Sequence, residues 1–254
     1  MEEIPEYRRS KMRDFKFISR RNFVKFTGAA ALGASIMKYG DSLLTAEARA
    51  DETPRPQTPD EALKKIMDGN KRFVDSLKKS PRRTVEVREQ VAGGQAPFAT
   101  ILACADSRVA PEIIFDQGIG DLFVVRVAGN IVNTANYGVL GSIEFGSLAL
   151  GASVIMVLGH SRCGAVAGAI DAVQKGTDFP GSIDNIVNTI GPAVEAAKDQ
   201  PGDLLENATI ANVKLGVDML NGSVPILADK VREGKLKIVG GNYDLHTGEV
   251  KIVA

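Results

Sequence analysis

The chain has 254 residues, enough for one ordinary globular domain, and its apolar (44%) and charged (24%) fractions are those of a folded protein. Its 31 basic and 31 acidic side chains cancel, so no overall field favours nucleic acid or an anionic membrane, and a polyanionic substrate is not expected. Its two cysteines and two histidines are Cys104, Cys163, His160 and His246, and with so few the position of each is informative.

The first 50 residues have the pattern of an export signal. Residues 19–25 read Ser-Arg-Arg-Asn-Phe-Val-Lys, and an apolar run rich in Ala and Gly follows from Phe26 to Met37. Two small-x-small cleavage patterns then end at Ala48 and at Ala50. The run is shorter than the roughly 20 residues that span a bilayer, which disfavours the alternative of a membrane anchor.

We therefore expect residues 1–50 to be a cleaved signal and residues 51–254 to be the mature domain, with no stable membrane insertion after cleavage. The basic string resembles the twin-arginine signal, with Val24 where a leucine is usual. That resemblance implies export of a folded protein to the periplasm or another extracytoplasmic space.

The mature chain begins with helical patterns. Three prolines between Ala50 and Pro59 indicate a linker, and Thr58 followed by Pro59 and early acids predicts a helix start. Apolar residues recur there at helical spacing: Leu63, Ile66, Met67, Phe73 and Leu77. A second short helix is predicted from Val85 to Val91. These two helices form an N-terminal arm that we expect to pack on a partner chain.

Short apolar strands then alternate with helices. The predicted strands are Phe98–Cys104, Leu122–Val127 and Val154–Leu158, and the helical segments between and after them are Pro111–Phe115, Tyr137–Leu150 and Cys163–Val173. Continuously apolar strands belong in a parallel sheet that is covered on both faces. Residues 182–233 are predicted to be mainly helical, with breaks at Gly191-Pro192, Pro201-Gly202 and Gly222. The chain ends in a predicted hairpin turning near Thr247-Gly248.

The predicted fold class is therefore α/β, with a mainly parallel central sheet flanked by helices, the N-terminal helical arm and a C-terminal antiparallel hairpin. In such a sheet, ligands bind beyond the carboxyl ends of the strands. Cys104 follows one predicted strand, and His160 and Cys163 follow another. Thiolate and imidazole are the ligands that zinc prefers, and three protein ligands with an open fourth position are typical of a catalytic zinc site.

Exported cysteines usually form disulfides, which is the principal alternative for Cys104 and Cys163. His160 and the sequence Cys104-Ala-Asp106-Ser-Arg108 favour a metal site instead, because Asp106 and Arg108 can form an acid–base pair beside the ion. Without a metal, that pair would be a surface ion pair worth less than about 1 kcal/mol. Zinc bound before export would also protect both thiols from oxidation.

At these residues the chain resembles the β-class carbonic anhydrases. The family pattern C-x-D-S-R followed by H-S/T-x-C-G reads here Cys104-Ala-Asp-Ser-Arg108 and His160-Ser-Arg-Cys-Gly164. Residues 120–130 are similar to the region between the two blocks, with Val127-Ala128-Gly129-Asn130 as a small departure. The resemblance covers about residues 58–254.

The resemblance implies one zinc ion per chain, held by Cys104, His160 and Cys163, and reversible hydration of carbon dioxide to bicarbonate. Asp106 would accept a hydrogen bond from the nucleophile or, in a closed state, bind the ion as a fourth ligand. Arg108 would orient the Asp106 carboxylate. Further residues match substrate-binding positions of the family: Gln95, Phe123, Ala128, Phe145 and Gly164. Phe145 stands where a tyrosine is frequent, and Ile101 replaces the tryptophan typical of the branch with a closed site.

The resemblance also implies a homodimer or homotetramer with the site near the subunit boundary. Carbonyl sulfide or carbon disulfide hydrolysis on the same scaffold is an alternative activity, and a zinc-stabilised or disulfide-bonded binding module is an alternative without catalysis. We interpret His246 as a surface turn residue rather than a proton shuttle. Arg162 and Arg126 are interpreted as packing or interface residues.

Overall fold

The computed structural model describes residues 55–132 and 137–254, so the predicted signal peptide lies outside the described residues. The helices are α1 (Pro59–Val74), α2 (Val85–Val91), α3 (Pro111–Ile114), α4 (Tyr137–Leu148), α5 (Gly164–Lys175), α6 (Ile183–Ala197), α7 (Leu204–Asn221) and α8 (Leu227–Arg232). The strands are β1 (Ala99–Ala103), β2 (Leu122–Arg126), β3 (Val154–His160), β4 (Lys237–Tyr243) and β5 (Val250–Ile252). A single 3-10 turn, Ala128–Asn130, follows β2.

The five strands form one sheet in the order β2-β1-β3-β4-β5. The first four strands are parallel, and β5 pairs antiparallel with β4. Every residue of β1 and β3 is buried, which explains why these segments are continuously apolar rather than alternating. The predicted α/β class with a mainly parallel sheet and a C-terminal hairpin is confirmed.

Helices cover both faces of the sheet. On one face, Ala62 and Ile66 of α1 pack against side chains of β1, β3 and β4. On the other face, residues of α4 and α7 pack against the alternate side chains of the same strands. A third apolar cluster joins α5, α6 and α7 and includes both cysteines. The N-terminal arm therefore covers the core of its own chain through α1.

The start of α1 follows the prediction from its sequence. The Thr58 hydroxyl accepts a hydrogen bond from the Glu61 N–H at 3.2 Å, and Pro59 occupies the first turn, where no N–H is needed. Among the described residues, no helix is both long and apolar enough to cross a bilayer.

The predicted helix break at Gly191-Pro192 is wrong, because α6 runs through both residues. Pro192 removes one helical hydrogen bond, at a typical cost of about 3 kcal/mol. The residues on the packed side of α6, including Ile190, Val194 and Ala197, are buried in the third cluster, whereas Pro192 is exposed. Burial of that apolar side outweighs the lost hydrogen bond, which local sequence rules do not count. The breaks at Pro201-Gly202 and Gly222 are confirmed.

The C-terminal hairpin is formed by β4 and β5, whose ends pair at Tyr243 and Val250. The hairpin turn, residues 244–249, contains Gly248 at a φ of +80°, a conformation that favours glycine. The predicted turn near Thr247-Gly248 is therefore confirmed.

Candidate metal centre

Three predicted metal ligands meet at the carboxyl ends of two neighbouring strands. Cys104 directly follows β1, His160 is the last residue of β3, and Cys163 is the N-cap of α5. The two sulfurs and a ring nitrogen of His160 all lie within 4.8 Å of one another, and all three residues are buried. The two cysteines are free thiols, so the structure does not show the disulfide alternative.

The histidine ring is oriented for metal binding. Its Nδ1 lies 2.9 Å from the Ser161 carbonyl oxygen, to which it donates, so the lone pair for a metal is on Nε2. Nε2 is buried and has no hydrogen-bond partner. A buried polar atom without a partner is costly, and an ion between Nε2 and the two sulfurs would satisfy it. Two thiols and one imidazole are a suitable donor set for zinc.

The Cys104 sulfur is held by the turn after β2. The Gly129 N–H points to Cys104 Sγ at 3.3 Å, and the Gly129 carbonyl accepts a hydrogen bond from the buried Asn212 side chain at 2.8 Å. Gly129 has a φ of +71°, and a Cβ at this position would lie 2.7 Å from Ile190 Cδ1. The positive φ therefore favours glycine there, and any larger residue would also have to displace the end of the Ile190 side chain.

The two neighbouring cysteines shift each other's pKa in opposite directions. A hydrogen bond from Cys163 lowers the pKa of the Cys104 thiol. The Cys104 sulfur accepts that hydrogen bond and raises the pKa of Cys163, although N–H groups in the first turn of α5 act in the opposite direction. Metal binding requires both thiolates, so loading an ion at this site releases protons.

Asp106 and Arg108 form a closely bonded pair beside the ligands. Arg108 Nε and its backbone N–H each donate to Asp106 Oδ1 at 2.9 Å, and Arg108 Nη2 donates to Oδ2 at 2.7 Å. These hydrogen bonds hold the pKa of Asp106 well below its usual range, so the carboxylate is ionised. Asp106 Oδ2 lies 3.8 Å from His160 Nε2. The cluster of three ligand atoms does not include Asp106.

Arg126, at the end of β2, holds the loop that carries Cys104 and Asp106. Its guanidinium donates to the Cys104 carbonyl at 3.2 Å and to the Asp106 carbonyl at 2.7 Å. This role was not expected from the sequence, from which Arg126 was interpreted as a packing or interface residue. The role could have been predicted from the position of Arg126 at the carboxyl end of β2, the strand that neighbours β1, which Cys104 follows.

The structure brings only some of the predicted substrate-binding residues to the metal centre. Ala128 precedes Gly129, whose N–H contacts the Cys104 sulfur. Gly164 is exposed at the start of α5, and a Cβ built on it meets nothing within 4 Å. Both residues are therefore next to metal ligands in the same chain.

The other three predicted substrate-binding residues are placed differently. Phe123 is paired in register with Thr100, four residues before Cys104, or about 13 Å along the strand. Phe145 of α4 packs on Phe123, with ring centroids 6.2 Å apart. Gln95 is exposed in the loop before β1, at the end of the strand remote from Cys104.

Comparison with known proteins identifies the family. A carbonic anhydrase family model matches residues 99–250. Carbonic anhydrase 2 of Mycobacterium tuberculosis is 40% identical over 190 residues, which cover 75% of this chain and 90% of that protein. The carbonic anhydrase of Mycolicibacterium smegmatis is 36% identical over 194 residues, covering 76% of this chain and 93% of that protein.

Solved structures agree with the sequence matches. The Coccomyxa β-carbonic anhydrase in complex with acetazolamide superposes with a TM-score of 0.59 and 27% identity, covering 75% of this chain and 85% of that chain. A tetrameric β-carbonic anhydrase of Sordaria macrospora gives a TM-score of 0.58 and 26% identity, covering 65% of this chain and 84% of that chain. The chain therefore belongs to the β class of the carbonic anhydrase family and is an enzyme, a carbonate dehydratase.

Proposed function

We propose that the chain binds one zinc ion through Cys104, His160 and Cys163 and catalyses the reversible hydration of carbon dioxide to bicarbonate and a proton. The observation that supports this proposal is the convergence of the two sulfurs and the unpartnered His160 Nε2 within 4.8 Å. Zinc, when bound there, would supply Lewis acidity that lowers the pKa of water and so makes it a nucleophile.

Asp106 is the residue that we assign to hold the nucleophile. It is ionised and therefore only accepts hydrogen bonds, and its Oδ2 lies on the ligand side, 3.8 Å from His160 Nε2. Arg108 holds both carboxylate oxygens, which fixes the direction from which Asp106 accepts. An acceptor fixed in this way orients the water lone pair toward a neutral, linear substrate that offers few contacts of its own.

A second copy of the chain is part of the proposed site. Phe123 lies about 13 Å along the sheet from Cys104, and Phe145 packs on Phe123, so we place neither side chain in a pocket at the metal centre of its own chain. We propose that they and Gln95 face the metal centre of a partner subunit in a homodimer or homotetramer.

The exposed side of α4 is suited to such an interface. Phe145 and Leu148 are more than two-fifths exposed, and Gly141, four residues before Phe145, has open space around it. Residues spaced by three and four lie on one side of a helix, so this side is apolar and includes a position where another backbone can approach closely. The similar Sordaria macrospora enzyme is tetrameric, which agrees with an assembly of more than one chain.

The test of this function combines metal analysis with stopped-flow carbon dioxide hydration by the purified mature chain. We expect one zinc per chain and hydration that is lost when zinc is removed and returns when zinc is added back. Carbonyl sulfide and carbon disulfide are assayed in parallel. Faster turnover of either sulfur compound than of carbon dioxide would contradict the proposal.

We also propose that residues 1–50 direct the enzyme out of the cytoplasm by the twin-arginine route. The support is the string of residues 19–25 and the short apolar run that follows it. Fusing residues 1–50 to a folded reporter should export that reporter with cleavage after Ala48 or Ala50. Replacing Arg20 and Arg21 by lysine should retain the reporter in the cytoplasm, and export that survives this change would contradict the assignment.

A further inference from the structure

The residue after His160 fixes the ring of this metal ligand. The Ser161 carbonyl lies 2.9 Å from His160 Nδ1 and accepts its proton, which keeps Nε2 available for the ion. Partners of this kind typically change metal affinity by about 10- to 100-fold when they are lost. The position of the Ser161 backbone therefore matters for metal binding.

Ser161 is held in turn by the C-terminal hairpin. Its N–H donates to the Tyr243 carbonyl at 2.9 Å, and its hydroxyl accepts a hydrogen bond from the Leu245 N–H at 3.0 Å. The first bond extends the β3–β4 pairing by one residue beyond His160, which pairs with Tyr243. The second bond connects Ser161 to the hairpin turn.

The hairpin turn is fastened to α1 by one buried side chain. Asn70 Nδ2 donates to the Gly248 carbonyl at 2.9 Å and to the Ile114 carbonyl at 3.2 Å, and Asn70 Oδ1 accepts from the Val250 N–H at 2.8 Å. Asn70 is only 3% exposed. Its side chain thus bonds three backbone groups in two other segments of the chain, Ile114 and the hairpin residues Gly248 and Val250.

Internal hydrogen bonds make the hairpin turn one unit. The Asp244 carboxylate accepts from the N–H groups of His246 at 2.7 Å and Thr247 at 2.9 Å. The Asp244 backbone exchanges two further bonds with Gly248 and Glu249, each 2.9 Å long. These bonds connect the Gly248 end of the turn, which Asn70 contacts, to the end that leads to Leu245.

We propose that Asn70 is a positioning residue for the metal ligand His160 and acts on it through the hairpin turn and Ser161. Asn70 is 90 residues before His160 in the sequence and belongs to the helix on one face of the sheet. The hydrogen bonds run from Asn70 to Gly248 and Val250, then from Leu245 and Tyr243 to Ser161, and from Ser161 to His160. This inference rests on the proposed zinc site but not on the substrate.

The experiment measures the rate at which the zinc-loaded enzyme releases its ion to an excess of a chromogenic chelator. Ser161→Ala, which loses the hydroxyl bond to Leu245, and Asn70→Ala should each release zinc about tenfold faster than the wild type. Because both substitutions act through the same turn, the double variant should be no more than about tenfold faster, rather than about a hundredfold. Ser161→Thr, which keeps the hydroxyl, should behave as the wild type.

Two control variants separate positioning from general loss of stability. Ser142→Ala removes a serine hydroxyl bond within α4, and Leu227→Ala truncates a buried side chain on the other face of the sheet. Both should leave zinc release unchanged, even where Leu227→Ala lowers the melting temperature as much as Asn70→Ala does. If Asn70→Ala does not fold, Ser161→Ala against Ser142→Ala still tests the hairpin contact.

Multiplicative effects in the double variant, or equal zinc release from Asn70→Ala and Leu227→Ala, would overturn the proposal. The outcome is distinguishable from that of the proposed function. A chain that shows the non-additive release but does not hydrate carbon dioxide would keep the positioning role and lose the activity.

Discussion

The metal centre, at the ends of β1 and β3, and the Phe123–Phe145 pair, on β2 and α4, are built in different ways. The three proposed ligands are buried and converge within 4.8 Å inside a single chain, where Cys104 accepts a hydrogen bond from the Gly129 N–H and His160 donates one to the Ser161 carbonyl. Phe145, by contrast, is two-fifths exposed and packs on Phe123, which lies about 13 Å along the sheet from Cys104. One chain therefore assembles the metal-binding half of the proposed site, whereas we propose that the apolar half requires a second copy.

The largest expected effect tests whether the metal-binding half is complete in one chain. Cys163→Ala should lose bound zinc and reduce hydration by more than about 100-fold, because two ligands no longer enclose the ion. Metal analysis and stopped-flow hydration measure this, with Ser142→Ala as the control. A variant that keeps one zinc per chain and full activity would show that the ligand set is wrong.

Replacing Asp106, the proposed hydrogen-bond acceptor, while keeping all three proposed zinc ligands should have the next largest effect on hydration. Asp106→Asn should keep one zinc per chain but lower the kcat/KM of hydration by about 100-fold, because the amide can donate as well as accept and no longer fixes the nucleophile. Zinc content and kcat/KM are measured on the same sample. Loss of the metal in this variant would indicate instead that Asp106 is a ligand.

The pH dependence of hydration should report the pKa of the water nucleophile and not that of Asp106. Two thiolates neutralise a divalent ion, so the water should lose its proton at a higher pH than the value of about 7 found with three neutral histidines. Below that pKa, kcat/KM should fall about tenfold per pH unit. The pKa of Asp106 is lowered, chiefly by Arg108, so this carboxylate stays ionised and adds no second step between pH 6 and 9. A flat rate over that range would refute the charge argument.

A smaller effect tests the contribution of the second copy. Phe145→Ala should lower hydration by about tenfold while zinc content stays unchanged, since the loss concerns an apolar contact outside the metal centre. The two variants can also be mixed in equal amounts and allowed to exchange subunits. Each mixed dimer should then contain one complete site, formed by the ligands of the Phe145→Ala subunit and Phe145 of the Cys163→Ala subunit. Such sites should make up about a quarter of all sites. Activity that stays at the sum of the two separate variants would place Phe145 in the site of its own chain.

Much of the fold and of the metal centre could be predicted from the sequence. Burial on both faces made β1 and β3 continuously apolar, and the reactive residues Cys104 and His160 stood at their carboxyl ends. The path of α6 through Pro192 could not be predicted, because it depends on how well a whole helix packs in the third cluster. The roles of Arg126, Asn212 and Asn70 were missed because each binds backbone carbonyls, and any residue type presents a carbonyl.

The glycine at position 164 is not explained by the structure of its own chain. Its φ is not among the positive values of the described chain, and a methyl group there would touch no protein atom. Neither backbone geometry nor the packing of this chain calls for glycine at the start of α5. The bare main chain beside Cys163 thus leaves open space next to the proposed metal site. If that site binds an ion, any larger residue at position 164 would narrow the space through which a small molecule could approach it.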